Sequence, residues 1–254
     1  MQTTININGK LLDFTTPKVM AIINVTTDSF ARHCTNITEA EILRWAAEAM
    51  SEGADILDIG ACSTRPGSTP VSEDEEWRRL EPALRAIRSE LPDAVLSIDT
   101  FRPEIARRAL ESFGRLTIND ISGGCMEMFD IVRAHSVPYI WTLRGDYSLP
   151  VSHPELQDLD LILDPGLGFI GSVEKDYNAL RRLDELRCYN RPILVGLSRK
   201  SMIYKPLGLT PDTCLTPTQA LHLYALEHGA DILRTHDVKE TKQIVDLWNF
   251  VSQK

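Results

Sequence analysis

The apolar runs along this chain are short, and seven of them end at or beside a polar residue that could take part in chemistry. Stretches with the spacing of amphipathic helices separate most of these runs. Parallel strands that alternate with helices predict a (β/α)8 barrel, whose active site lies at the carboxyl ends of its strands. The polar residues therefore indicate a catalytic mouth. They are Asn24, Asp58, Asp99, Asn119 with Asp120, Asp164, Ser198 to Lys200, and Arg234 with His236.

The pattern predicts a short hairpin followed by eight barrel strands and seven helices. Residues 3–15 alternate around Asn8 and Gly9, which is typical of a hairpin that could cover the bottom of the barrel. The strands are predicted over residues 18–24, 55–59, 95–99, 116–119, 138–142, 161–164, 192–197 and 231–235. The helices are predicted over residues 38–54, 72–91, 103–113, 126–135, 174–186, 217–228, and from after the last strand to about 251.

The alternation of strands and helices is interrupted after the fifth barrel strand. Residues 144–160 contain Pro150 and Pro154 and show no convincing helical pattern, and the sixth strand follows at once. About 16 extended residues reach roughly 50 Å, which is more than the height of a barrel. The crossover helix is therefore predicted to be missing or reduced to a turn. Two outcomes remain open, a barrel with one thin wall or a wall completed by another subunit.

Length and composition agree with a single globular domain over residues 1–254. The net charge of −9 argues against attraction to nucleic acid, so an anionic substrate needs local positive charge. No apolar run is long enough to span a bilayer and the first residues lack a signal-peptide pattern, which favours a cytoplasmic protein. The five cysteines are scattered without a C-x-x-C pair, so buried thiols are expected rather than disulfides or a zinc site.

Two polar segments at strand ends could hold an anion. The segment SRK at 198–200 offers a hydroxyl and two cations, which suit a phosphate, a carboxylate or a ring carbonyl. A cluster of salt bridges on the surface would give the same sequence pattern. Arg234 and His236 lie two apart, on one side of a strand. That placement favours an anion clamp over a satisfied, half-buried imidazole.

Carboxylates end two further apolar strands, and burial there is costly unless each carboxylate is paired. Asp99 and Asp164, together with Asn119, predict a row of acceptors that reads the donor edge of a heterocycle. The turns STRPG at 63–67 and DPGLGF at 164–169 are weak signals alone. Motifs of zinc proteases, serine hydrolases, P-loop enzymes and dinucleotide-binding domains do not occur in the sequence, which leaves those classes poorly supported.

Seven motifs, taken in order, resemble the dihydropteroate synthase family. They are NVTTDSF, DIG-x-x-STRPG, SIDTFRPEIA, INDISGG, DPG-x-GF, LVGLSRKS and GADILRTHDV, and they span about Met20 to Val238. The resemblance implies a (β/α)8 TIM barrel that forms a homodimer. It also implies a transferase reaction between two small molecules, 6-hydroxymethyl-7,8-dihydropterin diphosphate and 4-aminobenzoate, which gives 7,8-dihydropteroate and pyrophosphate. Diphosphate would leave first, and the arylamine would then attack a pterin cation. Sulfonamides would compete with aminobenzoate.

The same resemblance implies a role for each matching residue. Pterin binding is expected at Asp99, Asn119, Asp164 and Lys200, and catalysis at Asp99, Asp164, Lys200 and Asn24. The diphosphate is expected at Asn24, Arg65, Arg234 and His236, with Mg²⁺ as the cofactor held by Asn24. The aminobenzoate is expected at Thr64, Pro66, Phe169 and Ser198.

Four features depart from the family pattern. Thr27 replaces a proline, and the loop that follows it lacks the family's glycines. Thr142 replaces a histidine, the usual lysine after Phe169 is absent, and the connection over 145–160 is short. Three functions are therefore compared. An active synthase is favoured, a pterin-binding protein without turnover is the alternative, and a methyl-folate methyltransferase ranks below both because STRPG and SRKS fit the synthase.

Overall fold

The computed structural model describes residues 4–7, 10–26, 37–62 and 71–252. Within these residues, an antiparallel hairpin of β1 (Thr4–Ile7) and β2 (Lys10–Asp13) precedes eight parallel strands. The parallel strands are β3 (Lys18–Asn24), β4 (Ile56–Gly60), β5 (Leu96–Asp99), β6 (Thr117–Asp120), β7 (Tyr139–Thr142), β8 (Leu161–Asp164), β9 (Leu194–Gly196) and β10 (Ile232–Thr235). They lie in the order β8-β7-β6-β5-β4-β3-β10-β9. A parallel bridge between Leu163 and Ile193 joins the two edges, so the predicted (β/α)8 barrel is confirmed.

The helices of the described residues surround this barrel. They are α1 (Glu39–Ser51), α2 (Glu73–Glu90), α3 (Pro103–Phe113), α4 (Met126–His135), α5 (Leu149–Ser152), α6 (Val173–Arg181), α7 (Ser201–Tyr204), α8 (Leu215–Glu227) and α9 (Val238–Ser252). The helices α1 and α2 begin at the capping residues that the sequence indicates. Thr38 and Glu41 form a capping box, and the Ser72 hydroxyl accepts the backbone N–H of Glu75 at 3.2 Å.

The hairpin closes the bottom of the barrel, as its alternating pattern predicts. Ile5, Ile7, Leu12 and Phe14 are buried in a cluster with side chains from the lower parts of six barrel strands. Those partners are Met20, Ile56, Ile140, Ile162, Leu194 and Ile232. The turn residues Asn8 and Gly9 lie outside the described residues. Burial of this apolar surface is the main reason why the hairpin stays on the barrel.

The connection from β7 to β8 is as short as the sequence indicates. It consists of the four-residue helix α5 and a 3₁₀ helix at Pro154–Leu156. Tyr147, Leu156 and Leu159 from this connection are buried in the main core. The Tyr147 hydroxyl donates to the carbonyl of Ala179 at 2.7 Å, which ties the segment to α6. The prediction of a reduced crossover helix is confirmed, and side chains of this short connection pack on the core.

Leu156 should carry much of the stability of this short connection. Its side chain is only 1% exposed, so Leu156→Ala removes buried methyl groups where no crossover helix can close the gap. We expect the free energy of unfolding to fall by about 2–5 kcal/mol. Chemical denaturation measures this loss. Val151→Ala in the same connection is the control, because Val151 is 70% exposed and should change stability by less than about 0.5 kcal/mol. Equal effects would contradict the packing role of Leu156.

The helix predicted over 174–186 is wrong in its second half. α6 ends at Arg181, and a 3₁₀ helix follows at Leu183–Tyr189. Leu183 and Leu186 are both fully buried at a spacing of three residues, which suits the three-residue turn of a 3₁₀ helix. Tertiary burial therefore overrides the α-helical pattern here.

The expectation that the thiols are buried is only half right. Of the described cysteines, Cys62 and Cys214 are buried, whereas Cys125 and Cys188 are exposed. Cys125 precedes α4, and Cys188 lies on the outer 3₁₀ helix, so neither belongs to an apolar face that packs on the barrel. Cys34 lies outside the described residues.

Candidate active site

The carboxyl ends of the strands enclose a cavity of about 310 Å³. Parallel strands place the last side chain of each strand at the same end of a barrel, which is why residues distant in sequence meet here. Eight of the residues that the sequence predicts for the site line this cavity. They are Asn24, Asp99, Phe169, Ser198, Arg199, Lys200, Arg234 and His236.

A buried network of charges forms the floor of the cavity. The guanidinium of Arg234 turns into the barrel, where Nε donates to Asp58 Oδ2 and Nη2 donates to Asp99 Oδ2, both at 2.7 Å. Asn119 Nδ2 donates to the same oxygen of Asp58 at 2.9 Å. Burial lowers the pKa of Arg234, but Asp58 and Asp99 outweigh it and hold that pKa above its usual value. A permanent cation therefore lies between two carboxylates.

Asp99 combines strong burial with an unused acceptor. Its side chain is about one-tenth exposed, and burial raises the pKa of Asp99 to about 7 against the lowering effect of Arg234. Oδ2 accepts from Arg234, whereas Oδ1 has no hydrogen-bond partner among the described residues. A buried carboxylate oxygen without a donor is costly, so this atom is suited to accept an N–H from a ligand.

Lys200 provides a second cation at the cavity wall. Its ammonium donates to the carbonyl of Leu167 and lies 4.8 Å from the centre of the Phe169 ring. Gly168 makes room for the stem, because a Cβ there would come within 2.8 Å of the side chain of Lys200. Burial lowers the pKa of Lys200 to about 8, and the nearby Asp164 limits the fall. The residue can therefore be charged near neutral pH and neutral in mild alkali.

Two of the predicted pterin residues lie deeper than the cavity lining. Asp164 is 7% exposed and Asn119 is 2% exposed. Asp164 Oδ1 accepts the backbone N–H of Gly166 at 2.9 Å, and Oδ2 accepts the hydroxyl of Thr142 at 3.2 Å. Burial raises the pKa of Asp164, although Lys200 opposes this. Neither residue lines the cavity in this structure.

On the other side of the mouth, Ser198 and His236 form a polar pair. The hydroxyl of Ser198 lies 3.1 Å from His236 Nδ1 and accepts the backbone N–H of His236 at 3.1 Å. Arg199 is directed elsewhere, since it donates to Asp237 at 2.7 Å and to Asp212 at 3.3 Å. Of the two cations in SRK, Lys200 is therefore the one that forms no ion pair with the described residues.

Asn24 lies at the end of β3 beside Asp99. A Cβ on Gly60 would lie 3.5 Å from Asn24 Oδ1 and 3.7 Å from Asp99 Oδ2, so both oxygens lie beside Gly60. Oxygen donors suit Mg²⁺, which commonly takes one or two protein ligands and completes its shell with phosphate and water. The donors therefore fit a magnesium ion shared with a phosphate ligand. Among the described residues, no group of three or more His, Cys, Asp or Glu could hold a metal alone.

The remaining predicted residues cannot be placed. Thr64, Arg65 and Pro66, like the altered loop that contains Thr27, lie outside the described residues. The cavity also contains residues to which the sequence assigned no role, among them Cys62, Tyr204, Lys205 and Pro211. Tyr204 ends the four-residue helix α7, which is too short to give a periodic signal. Asp58 offered a usable signal, an acid inside an apolar strand, but received no role.

Comparison with known proteins identifies the family to which this arrangement belongs. A family model described as "Pterin binding enzyme" matches residues 20–145 and 143–236. The dihydropteroate synthase of Escherichia coli (strain K12) is 34% identical over 261 aligned positions, which cover 92% of this chain and 91% of that protein. This chain belongs to the dihydropteroate synthase family. A Synechocystis dihydropteroate synthase is 37% identical, over 89% of this chain and 87% of its own.

Solved dihydropteroate synthases have the same fold. The Xanthomonas albilineans enzyme with 4-aminobenzoic acid superimposes with a TM-score of 0.89 at 32% identity and covers 100% of both chains. The Coxiella burnetii enzyme in complex with pteroic acid has a TM-score of 0.85 at 32% identity over 98% of each chain. A Yersinia pestis complex with a sulfonamide drug has a TM-score of 0.87 at 30% identity, over 98% of this chain and 99% of that one.

Proposed function

We propose that this chain condenses 6-hydroxymethyl-7,8-dihydropterin diphosphate with 4-aminobenzoate to give 7,8-dihydropteroate and pyrophosphate. The observation that carries the proposal is the buried floor of the cavity, where Arg234 lies between acids and Asp99 retains an unused acceptor oxygen. Such a floor can bind an electron-poor heterocycle and stabilise a cation formed on it. The family relationship and the aminobenzoate and pteroic acid bound to solved relatives support the same transferase reaction.

The pterin would bind through acceptors at the ends of three strands, β5, β6 and β8. Asp99, Asn119 and Asp164 offer oxygens to the N–H groups of its donor edge. Lys200 would donate to the ring carbonyl or a ring nitrogen, since its ammonium already donates to a backbone carbonyl at the cavity wall. The free cavity does not reach Asn119 and Asp164, so binding would move the guanidinium of Arg234 off Asp99.

The diphosphate would bind on the cationic side of the mouth. Arg234 and His236 lie on β10 and just after it, and both line the cavity. Arg65 would add a third positive or donor group, as the family motif implies. Asn24 would hold Mg²⁺, which when bound neutralises charge on the diphosphate oxygens. This local positive charge offsets the net charge of −9 of the whole chain.

The aminobenzoate would lie at the mouth of the barrel. Ser198 would donate its hydroxyl to the carboxylate, and Phe169 would pack against the ring, with Thr64 and Pro66 completing the pocket. In the described part of the site, Ser198 and Phe169 both line the cavity that also contains Asp99. The amine would then approach the pterin methylene in a fixed orientation, which is a large part of the rate gain in such a condensation.

The chemical step needs electrostatic help more than proton transfer. The bond between the 6-methylene carbon and the diphosphate oxygen breaks, and both electrons leave with the oxygen. Asp99 and Asp164 would stabilise the resulting pterin cation, because preorganised negative charge is most effective where charge develops. The lone pair of the arylamine then forms the new carbon–nitrogen bond, and one N–H proton passes to solvent.

The pH dependence should show both titrating groups. Below pH about 7, Asp99 gains a proton and loses the charge that stabilises the cation. Above pH about 8, Lys200 loses its proton and its positive charge. We therefore expect kcat/KM for the pterin substrate to fall on both sides of a narrow maximum between these values.

In Lys200→Arg, whatever activity remains should lack the alkaline limb, because arginine stays charged. An alkaline limb that persists in this variant would refute the assignment to Lys200.

We also infer that one functional unit spans residues 1–254 and that two copies form a homodimer. Leu247, Phe250 and Val251 share one face of α9 and are 53%, 82% and 76% exposed. A stripe of exposed apolar side chains favours burial against another surface. Sedimentation analysis tests the dimer.

No helix of the described residues is long and apolar enough to cross a bilayer. The cytoplasmic location stays a prediction from the sequence.

The first experiment measures both products of the reaction. Purified protein is incubated with Mg²⁺, the pterin diphosphate and 4-aminobenzoate, and dihydropteroate and pyrophosphate are quantified. Equal amounts of both products, absent without aminobenzoate and suppressed by a sulfonamide, are expected. Pterin binding by calorimetry without any product would instead identify a pterin-binding protein that has lost turnover.

A further inference from the structure

Asp58 lies directly below the cavity, at the centre of the charge network. It is on β4, and its side chain is 0% exposed. Its Oδ2 accepts from Arg234 Nε at 2.7 Å and from Asn119 Nδ2 at 2.9 Å. Its Oδ1 is buried without a hydrogen-bond partner among the described residues. No predicted role explains why a carboxylate is buried at this depth, where an unpaired charge is costly.

The contact between Asp58 and Asn119 determines whether the oxygen or the nitrogen of the Asn119 amide faces the substrate. A carboxylate only accepts hydrogen bonds, so the atom at 2.9 Å must be the amide nitrogen. A flipped amide would bring two oxygens together. The carbonyl oxygen of Asn119 is therefore the group left for a ligand, and it joins the carboxylates of Asp99 and Asp164 in a row of acceptors.

The contact with Arg234 gives that side chain a fixed point. Asp99 belongs to the cavity lining and can exchange Arg234 for an N–H of the substrate. Asp58 lies beneath the lining and cannot make that exchange, so its bond to Nε persists when the bond from Nη2 breaks. The remaining N–H groups of the guanidinium would then be directed at the diphosphate.

We propose that Asp58 is a positioning residue that anchors Arg234 as the substrate takes over Asp99 and that holds Asn119 with its carbonyl oxygen towards the pterin. This inference rests on the proposed function. Asp58 never touches the substrate. It sets the direction of one donor group and one acceptor group that do.

Asp58→Asn tests both parts of the proposal, because it keeps the size of the side chain and removes its charge. Binding is measured by calorimetry for the pterin diphosphate, for 6-hydroxymethylpterin, and for 6-hydroxymethyllumazine, in which an oxo group replaces the 2-amino group. We expect affinity for the diphosphate to fall by about tenfold or more, as for the loss of a charged hydrogen bond. The preference of the wild type for pterin over lumazine should fall by about fivefold or more, since Asn119 can now flip.

Ser97→Ala is the matched control. Ser97 pairs in register with Asp58 on the neighbouring strand, is fully buried, and its hydroxyl lacks a partner among the described residues. This variant should leave both affinities and the pterin preference unchanged.

The Arg234→Ala background supplies a second check. There Asp58→Asn should restore thermal stability, because it removes a buried unpaired charge, but should cause no further loss of diphosphate affinity.

The outcomes separate this inference from the proposed function. If the wild type forms product but Asp58→Asn binds all three ligands as the wild type does, the positioning role is refuted. Additive losses of diphosphate affinity in the double variant would refute the anchoring of Arg234. An unchanged preference for pterin over lumazine would refute the orientation of Asn119. A wild type that neither binds pterin nor forms product would refute the proposed function itself.

Discussion

Asp99→Asn should lower the affinity for 6-hydroxymethylpterin by more than about tenfold while the protein remains folded. The substitution keeps the shape of the side chain but replaces one acceptor oxygen by a donor group. Asp99 Oδ1 is a buried acceptor without a partner among the described residues, and Oδ2 faces Arg234. A donor at either position would oppose the N–H groups of the pterin or the guanidinium. Calorimetry gives the affinity, and circular dichroism reports the fold.

Asp120→Asn is the matched control for this experiment. Asp120 ends the neighbouring strand and is also buried, but its oxygens accept from Tyr139 at 2.8 Å and from the backbone of Ser122 at 2.7 Å. It should change stability and leave pterin affinity unchanged. If Asp99→Asn keeps the affinity of the wild type, Asp99 does not bind the pterin.

Arg234→Ala should separate the diphosphate from the pterin ring. We expect a loss of about 10- to 100-fold in affinity for the pterin diphosphate, as for a charged hydrogen bond in a buried site, and a much smaller loss for the bare hydroxymethyl pterin. Calorimetric titration of both ligands gives the ratio. Equal losses for the two ligands would refute the role of Arg234 in the diphosphate clamp.

The stability of this variant must be followed alongside its affinity. Arg234 is the ion-pair partner of Asp58 and Asp99, so its removal leaves two buried carboxylates and costs about 3–5 kcal/mol. Arg234→Lys therefore serves as the second variant, because it keeps a positive charge in the barrel. It should fold more stably than Arg234→Ala and retain part of the preference for the diphosphate ligand.

Several elements could be predicted because their signals are local. The alternation around Asn8 and Gly9 predicted the hairpin, and the capping box at Thr38 and Glu41 predicted the start of α1. Even the reduced crossover after β7 was visible, since Pro150 and Pro154 interrupt any helical pattern there. Each signal depends on residues within a few positions of one another, where propensity and side-chain periodicity act.

Other features depended on contacts that no local pattern contains. The 3₁₀ helix at Leu183–Tyr189 replaced a predicted α-helix because Leu183 and Leu186 are drawn into the core at a spacing of three. Helix α7 was missed because four residues carry no period. Arg199 was grouped with Lys200 at the mouth, but Asp212 and Asp237 hold it in ion pairs.

By itself, the sequence determined that seven of the eight barrel strands would end at polar residues in one mouth, and that these residues match the pterin-binding pattern of a known family. The period of apolar positions defines the strands, and a parallel barrel gathers their carboxyl ends. Only the tertiary structure decided which of these polar residues contact one another at the mouth. Residues 58, 99, 119 and 234 come from four strands, and their distances of 2.7 to 2.9 Å arise from barrel closure. That closure made Asp58 the shared partner of Arg234 and Asn119.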